Sequence, residues 1–223
     1  MERPSIRVLV FIVLAVALAA LAAWQFLPGG EEGDGDDPDR ARIAELRRAK
    51  NLDALGREVR NPSEQAARHA ITALGRIGTE AMDHVREALD DKRPRVREKA
   101  ATTYARIAQW EDGAPLAKLV RQDGSANVRA AAVSGLERMF AYDQMETILA
   151  AMEDEDVIVR RRAAEAARRF AGVRVGFKAE DPPAKRKAAL ARMRAEWTKH
   201  KARAEKYWQY IRGKYKADPS GGE

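Results

Sequence analysis

The segment Asp154–Phe170 reads DEDVIVRRRAAEAARRF and combines five arginines with a regular series of small apolar residues. Its core, VRRRAAEAARRF from Val159, aligns without gaps with three earlier segments. These are AARHAITALGRI from Ala66, VREKAATTYARI from Val96 and VRAAAVSGLERM from Val128, so the spacings are 30, 32 and 31 residues. A period this regular predicts a solenoid, in which one small structural unit is repeated and stacked.

Each of the four segments places small or apolar residues at positions i, i+4, i+7 and i+11, which share one face of an α-helix. In the fourth segment this face runs from Val159 to Phe170, and its central alanines allow a neighbouring helix to approach closely. Shorter apolar stripes lie between the segments, for example from Met82 to Leu89. We therefore predict an all-α fold of four helix pairs, each with a first helix of about ten residues, after a leading helix at 39–50.

A second regularity places an aspartate six residues before an arginine in three of the repeats. The pairs are Asp91 and Arg97, Asp123 and Arg129, and Asp154 and Arg160. In the first repeat both charges are absent, because Asn61 and Ala67 occupy the two positions. Aspartate favours turns and helix caps, and the arginine fork binds carboxylates with two hydrogen bonds. We predict a structural role, in which the aspartate braces the turn and the arginine binds such an acid in its own or the next repeat.

A resemblance to HEAT repeats, of the short lyase-type variety, is carried by LDDKRPRVREKAATTYARI, VRQDGSANVRAAAVSGLERM and MEDEDVIVRRRAAEAARRF. The first repeat, AARHAITALGRIG, has the Ala-Leu-Gly ending of that pattern but lacks its Val-Arg pair. The resemblance covers Asn51–Phe170 and implies a short right-handed α-solenoid, with the second helices on the concave side. It also implies a binding scaffold, and lyase-type relatives assist chromophore attachment.

The N-terminal segment predicts a membrane anchor within residues 1–27. Val8–Leu27 contains twenty residues without charge, proline or glycine, and a helix of that length matches the ~30 Å hydrocarbon core of a bilayer. Arg3 and Arg7 precede this run, and six acids follow it within residues 31–39. The positive-inside rule therefore places the N-terminus in the cytoplasm and the rest of the chain on the exported side.

An alternative interpretation of the same segment is a cleaved signal peptide, which would release a secreted protein. Ala20-Leu21-Ala22 fits a small-x-small cleavage site, but the apolar run is long for a signal peptide, so we favour the retained anchor. Under both interpretations residues 28–38 form a flexible acidic linker, because glycines and like charges keep a chain extended. The repeat domain at 39–171 is exported in either case.

The C-terminal part is predicted to contain a connecting loop and a long basic amphipathic helix at 172–216, then a disordered tail at 217–223. Residues 172–223 carry 14 basic and 6 acidic side chains. Asp181 is placed to cap a single helix of about thirty residues, with Pro182 in its first turn. Two roles stay open for this helix. It caps the open edge of the last repeat, or its far half binds anionic lipid headgroups or a partner groove.

All four repeats carry an arginine at one equivalent position near the end of the second helix. Stacked helices would align these arginines at ~10 Å intervals, and such a row would attract an anionic partner. The interpretation we favour is that each arginine stabilises the negative end of its own helix dipole. With residues selected from the fourth repeat and the C-terminal helix, the candidate partner-binding set is Arg76, Arg106, Arg138, Arg162, Arg169, Lys206, Tyr207 and Trp208.

The composition and motifs argue against catalysis. The chain has no cysteine, which excludes thiolate metal sites and cysteine nucleophiles. His69, His84 and His200 share no metal-ligand spacing, and no nucleotide-binding or serine-nucleophile motif occurs. We therefore expect no enzyme activity, cofactor or metal, and predict a membrane-anchored scaffold that binds a protein partner. Polyanion or nucleic-acid binding through the arginine row is an alternative that predicted export disfavours, and a lyase-like or chaperone-type accessory to cofactor attachment is a less favoured one.

Overall fold

The computed structural model describes residues 37–217, and within this range all regular secondary structure is helical, without a β-strand. The ten α-helices of this range are α1 (Pro38–Arg48), α2 (Leu52–Val59), α3 (Glu64–Ile77), α4 (Met82–Glu87), α5 (Pro94–Ile107), α6 (Ala114–Gln122), α7 (Ala126–Arg138), α8 (Met145–Ala151), α9 (Val157–Ala171) and α10 (Pro183–Ala217). The all-α class is therefore confirmed.

The helices from α2 to α9 form four consecutive pairs, and each pair is one repeat. In every repeat the first helix packs on the second, and the second helices α3, α5, α7 and α9 stack on one another in that order. At the start, α1 buries Ile43 against the first repeat, and Arg42 of α1 forms an ion pair with Glu58 of α2. At the other end, α10 packs on α9. The predicted stack of repeated helix pairs is confirmed.

Close contact between the repeats depends on the small residues of the second helices. A methyl group added at Gly135 of α7 would lie 2.7 Å from Cδ1 of Leu116 and 3.0 Å from Cβ of Ala105. Both neighbours are buried, so neither has room to move away. Helices α5, α6 and α7 therefore meet at this glycine. The small residues set the distance between repeats, and with it the spacing of the side chains on the outer surface of the second helices.

The first helices are shorter than the ten residues that we predicted. They contain eight, six, nine and seven residues in α2, α4, α6 and α8. Three of them begin after a 3-10 turn, at Thr79–Ala81, Trp110–Asp112 and Tyr142–Gln144, and a further 3-10 turn at Ala88–Asp90 follows α4. The apolar stripes therefore extend through these tighter turns, which a period of 3.6 residues does not distinguish from an α-helix.

The C-terminal helix starts later and ends later than the sequence indicated. Helix α10 begins at Pro183, because the carbonyl of Pro182 accepts the amide hydrogen bonds of Lys185 and Arg186. Pro182 therefore occupies the capping position that we assigned to Asp181. The helix then continues without interruption for 35 residues.

Several predicted segments lie outside the described residues. They are the transmembrane helix within 1–27, nearly all of the linker at 28–38, and the tail at 217–223 apart from Ala217. Among residues 37–217, no helix combines the length and the apolar character that crossing a bilayer requires.

Candidate binding surface

One side-chain position closes the turn between the two helices of every repeat. Its side-chain oxygen accepts a hydrogen bond from the backbone amide two residues later, which is an Asx turn. The four bonds are Asn61 with Ser63 at 2.9 Å, Asp91 with Arg93 at 2.8 Å, Asp123 with Ser125 at 2.9 Å, and Asp154 with Asp156 at 2.8 Å. Asparagine makes this bond as well as aspartate does, so the turn itself requires no charge. The negative charge in the later repeats must serve a second contact.

That second contact is an arginine from the preceding repeat. Arg97 donates through Nε and Nη2 to the two carboxylate oxygens of Asp123, at 2.6 and 2.8 Å, and through Nη1 to the carbonyl oxygen of Asp91, at 2.8 Å. Arg129 does the same with Asp154, at 2.8 Å for both bonds, and with the carbonyl of Asp123, at 2.9 Å. Each arginine thus joins the backbone of its own turn to the carboxylate of the next turn. We call this series of contacts the Arg–Asp ladder.

The two ends of the Arg–Asp ladder differ from its middle. Asp91 has no arginine from the first repeat, where Ala67 stands, and its carboxylate instead accepts two hydrogen bonds from Arg93 of its own turn. Arg93 also reaches back to the carbonyl of Asn61 at 2.6 Å, so it links the first two repeats. At the other end Arg160 has no following aspartate, and its Nε donates to the carbonyl of Ala179 at 2.9 Å. Sequence reasoning missed Arg93, although the loss of the arginine at Ala67 was a signal that another donor was needed.

The charges of the ladder are largely removed from water. Side-chain exposure is 8% for Arg129, 11% for its partner Asp154 and 3% for Asp123. Burial raises the pKa of Asp123, but hydrogen bonds from the side chain of Arg97 and the amide of Ser125 more than offset this, so the pKa lies below its ordinary value. The pKa of Asp91 is lowered chiefly by its hydrogen bonds with Arg93. Both carboxylates are therefore ionised in the folded protein at neutral pH.

The exposed side of the stacked second helices contains a continuous depression. One part of about 380 Å³ lies across α5, α7 and α9, and another of about 360 Å³ lies between α3 and α5. Glu98 and Thr102 line both parts, so the two are joined. We call this depression the second-helix groove. Its exposed or partly exposed lining includes Arg68, Arg95, Glu98, Lys99, Thr102, Asn127, Ser134, Arg138, Ile158 and Arg162.

The groove and its margin hold several positive charges without counter-ions. Within residues 37–217, the charged groups of five side chains form no hydrogen bond or ion pair: those of Arg68, Arg76, Lys99, Arg106 and Arg138. Burial lowers the pKa of Lys99, and the nearby guanidiniums of Arg68, Arg106 and Arg76 lower it further. The pKa of Arg106 is also lowered, first by burial of its guanidinium and then by the positive charges of Arg138 and Arg76. These cations therefore repel one another.

Arg106 is exposed as a whole residue, yet its guanidinium group rests against the neighbouring helix. A methyl group added at Gly75 of α3 would lie 2.2 Å from Nη2 of Arg106. The absent side chain at Gly75 thus leaves the space that the guanidinium occupies. This contact explains why burial lowers the pKa of a largely exposed arginine.

The fourth arginine of the row is different from the first three. Nη1 of Arg169 donates to Oε1 of Glu137 at 3.0 Å, and its guanidinium carbon lies 5.8 Å from the ring centre of Phe140. Arg162, which lines the groove, pairs with Glu165 at 3.1 Å. Arg76, Arg106 and Arg138 therefore belong to the group of cations without counter-ions, whereas Arg169 is neutralised by Glu137.

Sequence reasoning missed Arg68, Arg95 and Lys99. Lys99 precedes Arg106 by seven residues, a spacing that places both on one helix face.

The candidate residues of the C-terminal helix divide between two faces. Trp208 is 6% exposed, and its Nε1 donates to the carbonyl of Phe170 at 3.2 Å. Its ring centre lies 5.5 Å from that of Phe170 and 5.3 Å from that of Phe140. Trp208 is therefore packed against the last repeat, which corrects its assignment to a partner-binding surface. Lys206 is exposed, and Tyr207, although 55% exposed, has its ring centre 5.1 Å from that of Trp208.

Comparison with known proteins assigns the repeat architecture. A model of the family described as HEAT repeats matches residues 52–137 and 113–197, which together span all four helix pairs and the first part of α10. The chain belongs to the HEAT-repeat family. No curated protein matches it.

Two solved structures are similar to this HEAT-repeat chain. One is the complex of CpcE and CpcF of phycocyanin lyase from Nostoc sp. PCC7120, with 22% identity, a TM-score of 0.49, and coverage of 66% of this chain and 96% of that one. The other is a designed armadillo repeat protein in complex with a (KR)4 peptide, with 20% identity, a TM-score of 0.43, and coverage of 76% and 84%.

Removing one arginine of the ladder should destabilise the HEAT repeats more than removing an arginine of the surface row. Arg129→Ala removes the two hydrogen bonds that Arg129 donates to the largely buried carboxylate of Asp154, so we expect a loss of about 3 kcal/mol in the free energy of unfolding. Arg138→Ala removes an exposed cation without a partner and should change stability by less than about 0.5 kcal/mol. Urea denaturation followed by circular dichroism measures both. Equal losses in the two variants would contradict the structural assignment of Arg129.

The ladder should also make stability depend on pH. Because the folded pKa of Asp123 lies below its ordinary value, this contribution is complete above the unfolded pKa of about 3.9 and disappears as pH falls through the folded pKa. Asp123→Asn retains the Asx turn, as Asn61 does, but gives Arg97 a neutral partner. We expect the variant to be less stable than the wild type at pH 7 and the difference to shrink between pH 5 and pH 3. A difference that stays constant in urea titrations across this range would count against the assignment.

Proposed function

We propose that this chain is a non-catalytic HEAT-repeat scaffold that binds an acidic segment of a protein partner along the second-helix groove. The observation that supports the proposal is the group of cations at the groove, typified by Lys99 and Arg138, which have no counter-ion within residues 37–217. Carboxylates from a partner would relieve their mutual repulsion. Complementary charge of this kind fixes the orientation of a partner and accelerates its association.

The Arg–Asp ladder supports this use of the groove. The ladder lies at the turns, and its bidentate hydrogen bonds join the second repeat to the third through Arg97 and Asp123 and the third to the fourth through Arg129 and Asp154. The helices that carry the groove are therefore held at constant separations. A backbone held in this way does not have to be ordered when a partner binds, which favours affinity.

The lining of the groove favours a protein partner over a nucleic acid. Ile158 is 44% exposed, and Ala105, Ala130 and Ala131 line the same part of the groove, so the groove has apolar lining as well as charge. Among the described residues that line the groove, none is aromatic, whereas proteins that bind single-stranded nucleic acids stack bases on aromatic rings. Polyanion or nucleic-acid binding is the second candidate, because the same cations would attract phosphates. A lyase-like or chaperone-type accessory role stays a third, from the sequence resemblance alone.

We expect the groove to bind an acidic peptide, with an affinity that depends strongly on the cations of the groove. The probe is a fluorescent peptide of glutamates that flank one leucine, compared with the same peptide in which glutamine replaces glutamate and with single-stranded DNA of equal charge. Lys99→Glu combined with Arg138→Glu should weaken binding about tenfold per reversed charge, or ~1.4 kcal/mol each. Fluorescence anisotropy with the full chain in non-ionic detergent gives the affinities.

The matched control is Arg57→Glu combined with Lys92→Glu, which changes the net charge by the same amount. Arg57 lies on α2 and Lys92 on the turn between α4 and α5, and both are exposed. An equal loss in this control would reduce the effect to net charge and would contradict the groove as the site. Tighter binding of the DNA than of the acidic peptide would replace the protein partner with a nucleic acid.

We further propose that the scaffold is a single-pass membrane protein whose N-terminus is cytoplasmic and whose repeats are exported. The proposal is supported by the uncharged run Val8–Leu27, the preceding Arg3 and Arg7, and the acids that follow. The exposed Lys206 and Tyr207 of α10 would then be available to anionic headgroups of the same membrane.

A reporter enzyme that is active only outside the cytoplasm should be active when it is fused after residue 30. Activity should be retained in the membrane fraction if Val8–Leu27 is an anchor, and it should appear in the soluble exported fraction if the segment is cleaved. An inactive fusion of normal abundance would refute export. A fusion before residue 8 serves as the control that should stay inactive.

A further inference from the structure

A second cavity lies at the C-terminal end of the repeats, away from the lining of the second-helix groove. It has a volume of about 400 Å³ and lies between α9, the segment 172–180 and the buried Met193 of α10. This volume falls within the range of pockets that hold small ligands, roughly 300–1,000 Å³. We call this cavity the end pocket. It shares none of its lining residues with the second-helix groove.

The wall of the end pocket is fixed by contacts of the protein itself. Arg160 of the ladder holds the carbonyl of Ala179 at 2.9 Å, and Nη2 of Arg192 donates to the carbonyl of Val175 at 3.2 Å. Gly172 and Gly176 have φ angles of 69° and 70°, in the left-handed region that glycine adopts without strain, and they turn the chain on either side of Val175. A wall held at several points is formed before a ligand arrives, which lowers the entropy cost of binding.

The interior of the end pocket is apolar. Val173, Val175 and Phe177 alternate along the extended segment, line the cavity and pack on the hydrophobic core while staying partly exposed. Met193 and Ala164 complete this lining from the two helices. An apolar body placed here would remove these side chains from water, at a gain of roughly 25 cal/mol per Å² of apolar surface buried.

The rim of the end pocket carries positive charges that the protein does not neutralise. Arg168, Arg174 and Lys178 line the cavity, and in the described part of the chain none of them forms an ion pair or side-chain hydrogen bond. The two acids of the same lining are already engaged, because Glu165 pairs with Arg162 and Glu180 pairs with Arg161. An anion for the three free cations therefore has to come from another molecule.

We propose that the end pocket binds the carboxylate end of an apolar molecule. The apolar part packs on Val173, Val175 and Phe177, and the carboxylate lies at the rim against Arg168 and Arg174. Two kinds of molecule share this chemistry: a free apolar carboxylic acid such as a fatty acid, and the free C-terminus of a peptide whose last residue is apolar. A polyanion without an apolar part fits less well, because it would leave Val173, Val175 and Phe177 uncovered.

Calorimetry on the full chain with 4-phenylbutyrate, which stays dissolved in water, tests the proposal directly. The uncharged analogue 4-phenylbutanol has the same apolar body, so we expect it to bind at least ~10-fold more weakly, equivalent to ~1.4 kcal/mol. Two acetylated tripeptides ending in Leu-Phe, one with a free and one with an amidated C-terminus, form the second arm. Tighter binding of the acid or of the free peptide identifies the source. Equal binding of charged and uncharged forms in both arms, or no binding in either, overturns the proposal.

Variants separate the end pocket from the groove. Arg168→Gln combined with Arg174→Gln changes two exposed residues, so the fold should persist, and binding of 4-phenylbutyrate should fall at least ~10-fold. Phe177→Ser should weaken the acid and the alcohol alike, and its melting curve shows whether the repeats still fold. Arg57→Gln should have no effect. Unchanged binding in the double variant, or an equal loss in the groove variant Lys99→Glu combined with Arg138→Glu, overturns the assignment.

Discussion

The bidentate contact between an arginine of one repeat and an aspartate of the next is the interaction on which this HEAT-repeat structure depends. The stacked second helices approach one another closely at small residues such as Gly135. A guanidinium that must meet both a carboxylate and a backbone carbonyl, as Arg129 meets Asp154 and the carbonyl of Asp123, permits one register only. In a solenoid, where each unit contacts only its neighbours, such interface contacts determine whether the array folds together.

The repeat and its register could be read from the sequence because both depend on regular spacing. The six-residue spacing that recurs in Asp91 and Arg97, Asp123 and Arg129, and Asp154 and Arg160 already indicated a structural role for both side chains. The spacing did not reveal which acid each arginine binds. Arg97 donates hydrogen bonds to the backbone carbonyl of its own turn and to the carboxylate of the following turn. The ends were also hidden, since Arg93 and the carbonyl of Ala179 act where the repeat pattern stops. Exceptions to a repeat carry no periodic signal.

The candidate binding surface was predictable only in part, for a related reason. Four equivalent arginines appear identical in the sequence, yet Arg169 is neutralised by Glu137 and Phe140 while Arg138 has no counter-ion in the described chain. The difference comes from neighbours outside the helix that carries each arginine. Likewise Trp208 resembles a surface aromatic in an amphipathic helix, but two phenylalanines of the repeats cover it. Whether a side chain is available to a partner is a property of tertiary contacts, which one helix does not encode.

The first and last turns of the array have a consequence for end-to-end contacts between copies of the chain. Asn61 and Ala67 present neither the acid nor the guanidinium at the N-terminal turn, and Arg160 at the C-terminal turn is already satisfied by a carbonyl of the same chain. Two copies placed end to end would therefore gain no arginine–carboxylate bond across the junction. Open-ended assemblies grow when a surface on one copy complements a different surface on the next. The Arg–Asp ladder that joins the repeats within one chain therefore offers no bond of this kind to a second copy at either end of the described array.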